Sequence, residues 1–125
     1  MDSSYIVALD NTDDEHHGDA LELREELRSS GMYISDYIYD EVVTLTLQWN
    51  GHGEAVRLSD YLLRSDVTVL QVASPVFRSA VELFEEHPVS FTDCTSVALM
   101  RHVGIDQMAS FDTDFDAFDD IAVSP

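Results

Sequence analysis

One short run constrains the fold of this chain more than any other feature: residues 67–72, Val-Thr-Val-Leu-Gln-Val. Its β-branched and apolar residues favour a strand that is buried on both faces. Ser74-Pro75 follows at once and is typical of a helix start, since proline suits the first helical position. A buried strand joined directly to a helix is typical of an α/β fold with a central, mainly parallel sheet flanked by helices.

The remaining elements follow from periodicity and capping signals. Helices are predicted over 13–30, 36–49, 54–65, 74–86 and 92–104, with Ser35 or Asp36 capping the second. Extended stretches are predicted over 32–35 and 108–112, and the residues after 112 are expected to form an acidic tail. The 125 residues contain no internal repeat and no interdomain linker. We therefore expect a single domain over 1–125.

Four acidic residues stand where a carboxylate is a poor choice for packing. They are Asp2, Glu41, Asp93 and Asp112. Asp93 lies in the first turn of a predicted helix and Asp112 ends a predicted strand, whereas Glu41 interrupts an apolar helical face. That face is formed by Ile38, Val42, Leu45 and Trp49. Burying a lone carboxylate is costly, and ligand sites of open α/β sheets lie beyond the carboxyl ends of the strands.

If these acids converge, they form a site for a hard divalent cation. Mg²⁺, and similarly Mn²⁺, prefers oxygen ligands and is commonly held by a few carboxylates and a substrate phosphate. The expected ligands are Asp2, Asp93, Asp112 and, directly or through water, Glu41. Asp114 and Asp116 are candidates for a supporting role, with solvated tail acids as the alternative. Asp93 alone also has a structural alternative, because a helix dipole stabilises an acid in the first turn.

The charge balance is extreme, with 25 acidic residues, 6 arginines, no lysine and a net charge of −19. Such a surface repels itself at low salt and is typical of salt-adapted proteins. It also repels nucleic acid in dilute buffer. At molar salt the Debye length falls to about 3 Å, so a nucleic-acid substrate is compatible with this charge in a halophilic host. Mimicry of nucleic acid is the alternative interpretation.

The sequence favours a cytoplasmic protein that does not contact a membrane. No apolar stretch approaches the roughly 18 residues needed to span a bilayer. No basic region followed by an apolar run opens the sequence, so we expect no signal peptide. A single cysteine, Cys94, cannot form an internal disulfide or a cysteine-rich zinc site.

The ordered set of motifs resembles PIN-domain proteins, and VapC-type ribonuclease toxins in particular. The motifs are Asp2-Ser3-Ser4, the acidic run 13–16, and the segments 35–41, 90–93 and 110–115. The resemblance implies that the acids named above bind one or two Mg²⁺ or Mn²⁺ ions and that Ser4 helps to orient the first. It also implies an RNA substrate, a homodimer, and inhibition by a cognate antitoxin that enters the active-site groove.

The start of the chain departs from this family pattern. The strand expected before the leading acid is reduced to Met1. A local reading instead makes residues 5–9 a strand and Asp10 the ligand, but the spacing to the acidic run favours Asp2. We also expect codons upstream, in frame, to encode roughly four to six mostly β-branched residues, because a frayed terminus holds a ligand poorly.

The sequence thus predicts a metal-dependent endoribonuclease that acts as a toxin. The alternative is a non-catalytic PIN-like module or an acidic mimic that acts through protein contacts.

Overall fold

A computed structural model of the protein describes residues 1–124. The helices are α1 (Ser3–Asp10), α2 (His17–Leu27), α3 (Asp36–Asn50), α4 (His52–Arg64), α5 (Ser74–Glu86) and α6 (Phe91–Val103). The strands are β1 (Met32–Ser35), β2 (Val67–Leu70), β3 (Gln107–Ala109) and β4 (Ala122–Ser124), and a short 3-10 helix spans Asp114–Ala117. The predicted α/β class is confirmed.

All strand pairing is parallel, but it is divided between two small sheets. β1 pairs with β2 from Met32↔Val67 to Ser35↔Leu70. β3 pairs with β4 from Gln107↔Ala122 to Ala109↔Ser124. The central sheet of the prediction is therefore present as two separate pairs.

The first two residues form the link between these pairs. The amino group of Met1 donates to the Tyr33 carbonyl of β1 at 2.8 Å. The backbone N–H of Asp2 donates to the Ala109 carbonyl of β3 at 2.9 Å. Met1 and Asp2 thus occupy the position of a strand between β1 and β3, with one backbone hydrogen bond to each.

Two hydrophobic clusters surround the sheets. One packs α5 against α6 and the C-terminal segment, with Val97 and Phe115 fully buried at its centre. The other joins α1, α3 and α4 around Tyr5, Ile38 and Leu58. None of the helices in residues 1–124 combines the length and the apolar character needed to cross a membrane.

The alternative assignment of residues 5–9 to a strand is wrong. They lie in α1, where Tyr5 and Ile6 are both buried. In a strand that is buried on one face, consecutive residues alternate between buried and exposed. Burial of both Tyr5 and Ile6 therefore favours a helix. The Tyr5 hydroxyl donates to the Ala20 carbonyl at 3.1 Å, which fastens α1 to α2.

The first predicted helix is shorter than expected, because residues 13–16 form a turn. Asn11 Oδ1 accepts a hydrogen bond from the Asp13 N–H at 3.0 Å. Asp14 Oδ1 accepts one from the His16 N–H at 2.8 Å. Such side-chain bonds to the backbone two residues on compete with a helix.

The residues after 112 are not a solvated tail as predicted. Phe115, Phe118 and Ile121 are buried in the α5–α6 cluster, and β4 extends the β3 pair. The acidic residues between them face solvent. Because of these exposed acids, the sequence of this ordered segment resembles that of a solvated tail.

Trp49 also departs from the expected apolar face of α3. The helix buries Ile38, Val42 and Thr46, whereas Trp49 is 64% exposed. The last turn of α3 therefore extends beyond the core.

Candidate metal centre

The acidic residues meet at the carboxyl end of β3. Asp2 precedes α1 and Asp93 lies in the first turn of α6. Asp112 follows β3 by three residues. Two helix N-termini and a strand end therefore face the same region, where backbone N–H groups favour negative charge.

Asp2 is held by two serine hydroxyls. It is 4% exposed, and its Oδ2 accepts hydrogen bonds from Ser4 Oγ and Ser110 Oγ, each at 2.9 Å. Hydrogen bonds to a carboxylate are among the stronger ones in proteins. They fix the orientation of this buried side chain.

The same hydroxyls hold the loop that carries Asp112. Ser110 Oγ accepts from the Asp112 N–H at 2.9 Å, and Ser4 Oγ accepts from the Phe111 N–H at 3.0 Å. Asp112 Oδ1 in turn accepts from the Asp114 N–H at 2.9 Å. Each serine thus donates to Asp2 and accepts from this loop, which ties the start of the chain to a segment about a hundred residues later.

Asp93 is positioned by the cap of its helix. Ser90 Oγ accepts from the Asp93 N–H at 3.1 Å and caps α6. Asp93 is 6% exposed. Burial first, and then the negative charge of Asp2, raise the pKa of Asp93 to about 7, with Asp112 and Asp114 adding to the effect and the Ser90 hydrogen bond opposing it.

Three carboxylates come within ligand distance of one another. In residues 1–124, oxygens of Asp93, Asp112 and Asp114 lie within 4.8 Å of each other. No ion pair with Arg or His neutralises them within this part of the chain. Crowded, partly buried carboxylates without a cationic side chain fit a hard divalent cation, whose charge would offset the burial and the repulsion that together raise the pKa of Asp93.

Not every predicted ligand joins this group of three. Asp2 lies close enough for its charge to affect Asp93. Glu41 is half-buried on α3, one turn after Tyr37, and its carboxylate forms no hydrogen bond or ion pair within residues 1–124. Asp116 is exposed on the 3-10 helix.

Asp10, the alternative leading ligand, lies at the other end of α1. Both of its carboxylate oxygens accept from Arg57 at 2.9 Å. The structure therefore gives Asp10 a salt-bridge partner outside the group of three.

Sequence reasoning assigned no role to Ser110 or Ser90. The cap at Ser90 had a local signal, because a serine stands three residues before Asp93. Ser110 had none, since its bond to Asp2 joins residues at opposite ends of the chain. Asp114 was expected only as a support, but it lies among the three grouped carboxylates.

Comparison with known proteins identifies the class. The family model of the PIN domain matches residues 1–121, and the chain belongs to this family. The resemblance seen in the sequence is thereby confirmed.

Particular relatives share nearly the whole chain. The 23S rRNA-specific endonuclease VapC20 of Mycobacterium tuberculosis is 33% identical over 128 aligned residues in each of two strains, CDC 1551 / Oshkosh and H37Rv. The alignment covers 100% of this chain and 97% of that protein. The crystal structure of M. tuberculosis VapC20, described as a sarcin-ricin loop cleaving toxin, superposes with a TM-score of 0.87 at 32% identity, covering 99% of this chain and 97% of the other.

Proposed function

We propose that the protein is a metal-dependent endoribonuclease and the toxin of a toxin–antitoxin module. The observation that carries the proposal is the group formed by Asp93, Asp112 and Asp114 beside the buried Asp2. Its position in a PIN domain that matches a known RNA endonuclease along its whole length supports the activity.

The proposed ligands of Mg²⁺ or Mn²⁺ are Asp2, Asp93 and Asp112, with Asp114 now added to them. When bound, such an ion supplies a water of lowered pKa and stabilises negative charge on the phosphate. Asp93 contributes a carboxylate whose pKa is raised first by burial and then by neighbouring negative charges, and a bound cation would offset both effects. For Glu41 and Asp116 we propose contacts through water.

Ser4 and Ser110 act as positioning residues in this proposal. Both donate to one oxygen of Asp2, so its other oxygen is left to face a cation. Because partners of ligating carboxylates orient them, their loss typically weakens metal affinity 10- to 100-fold, to an order of magnitude.

The proposed substrate class is a ribosomal RNA hairpin loop. Its basis is the specificity of VapC20, which is described as a 23S rRNA-specific endonuclease and a sarcin-ricin loop cleaving toxin. The net charge of −19 opposes RNA binding in dilute buffer, and screening over about 3 Å at molar salt removes most of that repulsion. Cleavage should therefore be assayed in molar KCl.

We further propose an antitoxin partner and a homodimer in the cytoplasm. Several large apolar side chains are exposed and available for such contacts. They include Trp49, Leu63, Phe77 and Phe84. Exposed apolar patches are typical of protein interaction sites, and sedimentation of the purified protein in molar KCl tests self-association.

The decisive experiment measures cleavage of large-subunit ribosomal RNA in molar KCl with added Mn²⁺. Chelation, Asp2→Asn and Asp112→Asn should each abolish cleavage and leave the far-UV circular dichroism unchanged. Asp60→Asn, the same change at an exposed position on α4, serves as the matched control and should keep full activity. Full activity in both site variants would overturn the assignment of these acids to the active site, and no cleavage by any of the proteins would favour a non-catalytic module that acts through protein contacts.

A further inference from the structure

A stack of two rings lies directly beside the acidic centre. The imidazole of His16 lies on the ring of Phe111, with the ring centroids 4.3 Å apart and an angle of 9° between the ring planes. Phe111 immediately precedes Asp112, and its backbone N–H donates to Ser4 Oγ at 3.0 Å. Because the same hydroxyl donates to Asp2, the stack is attached to the loop that carries the proposed metal ligands.

Phe111 connects the imidazole to the core of the protein. Tyr5, which is fully buried in α1, stacks on Phe111 with the ring centroids 6.4 Å apart and an interplanar angle of 23°. The half-buried ring of Phe111 also packs against the hydrophobic cluster of α1, α3 and α4. The support beneath His16 is therefore rigid.

His16 is the member of the stack that solvent reaches. Its side chain is 42% exposed, and Phe111 covers one face of the imidazole, so the exposed part of the ring is its other face and its edge. The backbone of His16 is fixed on both sides. Its N–H donates to Asp14 Oδ1 at 2.8 Å, and its carbonyl accepts from the Ala20 N–H at 2.9 Å.

The two adjacent histidines are used in different ways. Nδ1 of His17 lies 2.8 Å from the Ala8 carbonyl, a hydrogen bond that joins α2 to α1. The side chain of His16 precedes α2 but does not cap it. Within residues 1–124 the nearest charged group to its Nε2 is the Glu15 carboxylate, at 3.4 Å, and Glu15 is 85% exposed. The His16 ring therefore has no structural contact as close as its stack on Phe111.

Charge favours stacking over phosphate contacts as a means of holding RNA. The chain has six arginines and no lysine, and three of the arginines, Arg28, Arg57 and Arg101, are engaged in ion pairs. Contacts between cations and phosphates also weaken steeply as salt rises. A base stacked on an aromatic ring needs no charge. Stacking therefore suits the molar salt at which this acidic protein can approach RNA.

We propose that His16, supported by Phe111, is the stacking platform for an unpaired base next to the phosphate that is cleaved. The proposal rests on the proposed ribonuclease function and assigns its substrate contact. Bases of single-stranded loops splay out and stack on aromatic or histidine side chains. A base on the free face of His16 would continue the stack and bring the neighbouring phosphate to the metal centre. Paired bases cannot reach the ring in this way, so the platform selects unpaired nucleotides.

The test measures affinity for a fluorescent sarcin-ricin loop hairpin by anisotropy, in molar KCl with a chelator, so that binding is observed without cleavage. His16→Ala should weaken RNA affinity about 5- to 100-fold, as expected for the loss of one stacked base. His16→Phe, which keeps the ring, should retain the affinity. His52→Ala, the same change at an exposed position on α4, is the matched control and should also retain it.

Hairpins with one abasic nucleotide identify the stacked base. At one loop position the missing base should weaken binding to the natural protein as much as His16→Ala does. The same hairpin should bind His16→Ala no more weakly than the complete hairpin does, because the two changes remove one contact. Additive losses at every loop position would contradict the proposal.

Three further outcomes would overturn it. The first is unchanged RNA affinity in His16→Ala, and if Mn²⁺ affinity fell instead, the ring would only support the loop of Asp112. The second is a loss of affinity in His16→Phe equal to that in His16→Ala, which would assign the contact to the imidazole nitrogens. The third is no binding of the hairpin by the natural protein. Binding that depends on His16, but without cleavage when Mn²⁺ is added, would refute the ribonuclease function and leave the stacking platform in place.

Discussion

The two ends of the gap between β1 and β3 are built in opposite ways. At the carboxyl end, serine hydroxyls and backbone N–H groups surround Asp2, Asp93 and Asp112. At the amino end, mainly apolar side chains, among them Leu27, Leu99 and Met108, line a cavity of about 350 Å³. Met1 and Asp2, which bond to β1 and β3, lie between the two regions.

The comparison shows two different sources of instability. The acidic end loses free energy through the burial and the mutual repulsion of crowded carboxylates, which a cation or a proton relieves. The amino end lacks packing contacts, because its apolar side chains line a cavity and do not fill it.

Asp93→Asn should separate function from stability at the acidic end. We expect cleavage to fall by roughly 10²–10³-fold or more, as when one preorganised electrostatic group is removed. The metal-free variant should be more stable than the natural protein by about 2–4 kcal/mol above pH 7, since the raised pKa reflects an unfavourable charge. Cleavage assays and urea unfolding in molar KCl measure the two effects.

Asp60→Asn is again the control, because it removes one charge from an exposed helical position. It should change neither cleavage nor stability beyond about 0.5 kcal/mol. A loss of stability in Asp93→Asn would contradict the view that a buried charge at this crowded position is unfavourable in the folded protein.

Ser110→Ala should have the next largest effect, because it removes the hydroxyl between Asp2 and the Asp112 N–H. We expect Mn²⁺ affinity to fall about 10- to 100-fold and stability to fall by about 1–3 kcal/mol. Ser3→Ala is the matched control, since the buried Ser3 Oγ has no partner within residues 1–124. Titration calorimetry and urea unfolding should show little change in that control. Equal losses of Mn²⁺ affinity and stability in both variants would contradict the positioning role of Ser110.

Local signals predicted helices α2 to α6 but not α1. The predicted range 74–86 coincides with α5 because Pro75 and the apolar periodicity act within that segment. Ser35 caps α3, as one of the two predicted candidates, by accepting from the Ile38 N–H at 3.0 Å. Such features depend on neighbours in sequence, so they can be predicted without tertiary information.

Long-range features were not predictable in this way. The hydroxyl of Ser110 bonds to Asp2, and the buried aromatics after Asp112 dock on α5 and α6 only once the chain is folded. Likewise, the sequence suggested a shortened first strand, but the division into two sheets depends on how β1 and β3 face one another. The assignment of metal ligands stays a prediction.

The pH dependence of the metal-free protein should identify Asp93 as the titrating group. Its pKa is raised from 3.8 to about 7, so between these values the folded state binds more protons than the unfolded state. The free energy of unfolding from this group therefore falls as pH rises from about 4 to 7 and is constant above. The stability difference between Asp93→Asn and the natural protein should grow over that interval, as measured by urea unfolding at several pH values. A constant difference would assign the titration elsewhere.

Metal binding should show the complementary dependence. A proton on Asp93 competes with the cation, so Mn²⁺ affinity should rise about tenfold per pH unit up to about pH 7 and then level off. Titration calorimetry across this range measures the slope, and a flat profile from pH 5 to 8 would exclude Asp93 as a ligand that must lose its proton.

The smallest expected effect separates repulsion within the acidic centre from repulsion over the whole surface. The chain carries a net charge of −19, and exposed charges are screened at molar salt but interact over about 30 Å at 0.01 M. The melting temperature should therefore fall by several degrees when KCl is withdrawn. Asp93→Asn removes one buried charge and leaves the surface unchanged. Most of this salt dependence should therefore persist in the variant, and the melting temperatures of the two proteins should differ at every salt concentration. If the variant instead became insensitive to salt, the metal centre rather than the surface would be the origin of the salt requirement. If neither protein responded to salt, the interpretation of the acidic surface as salt-adapted would be wrong.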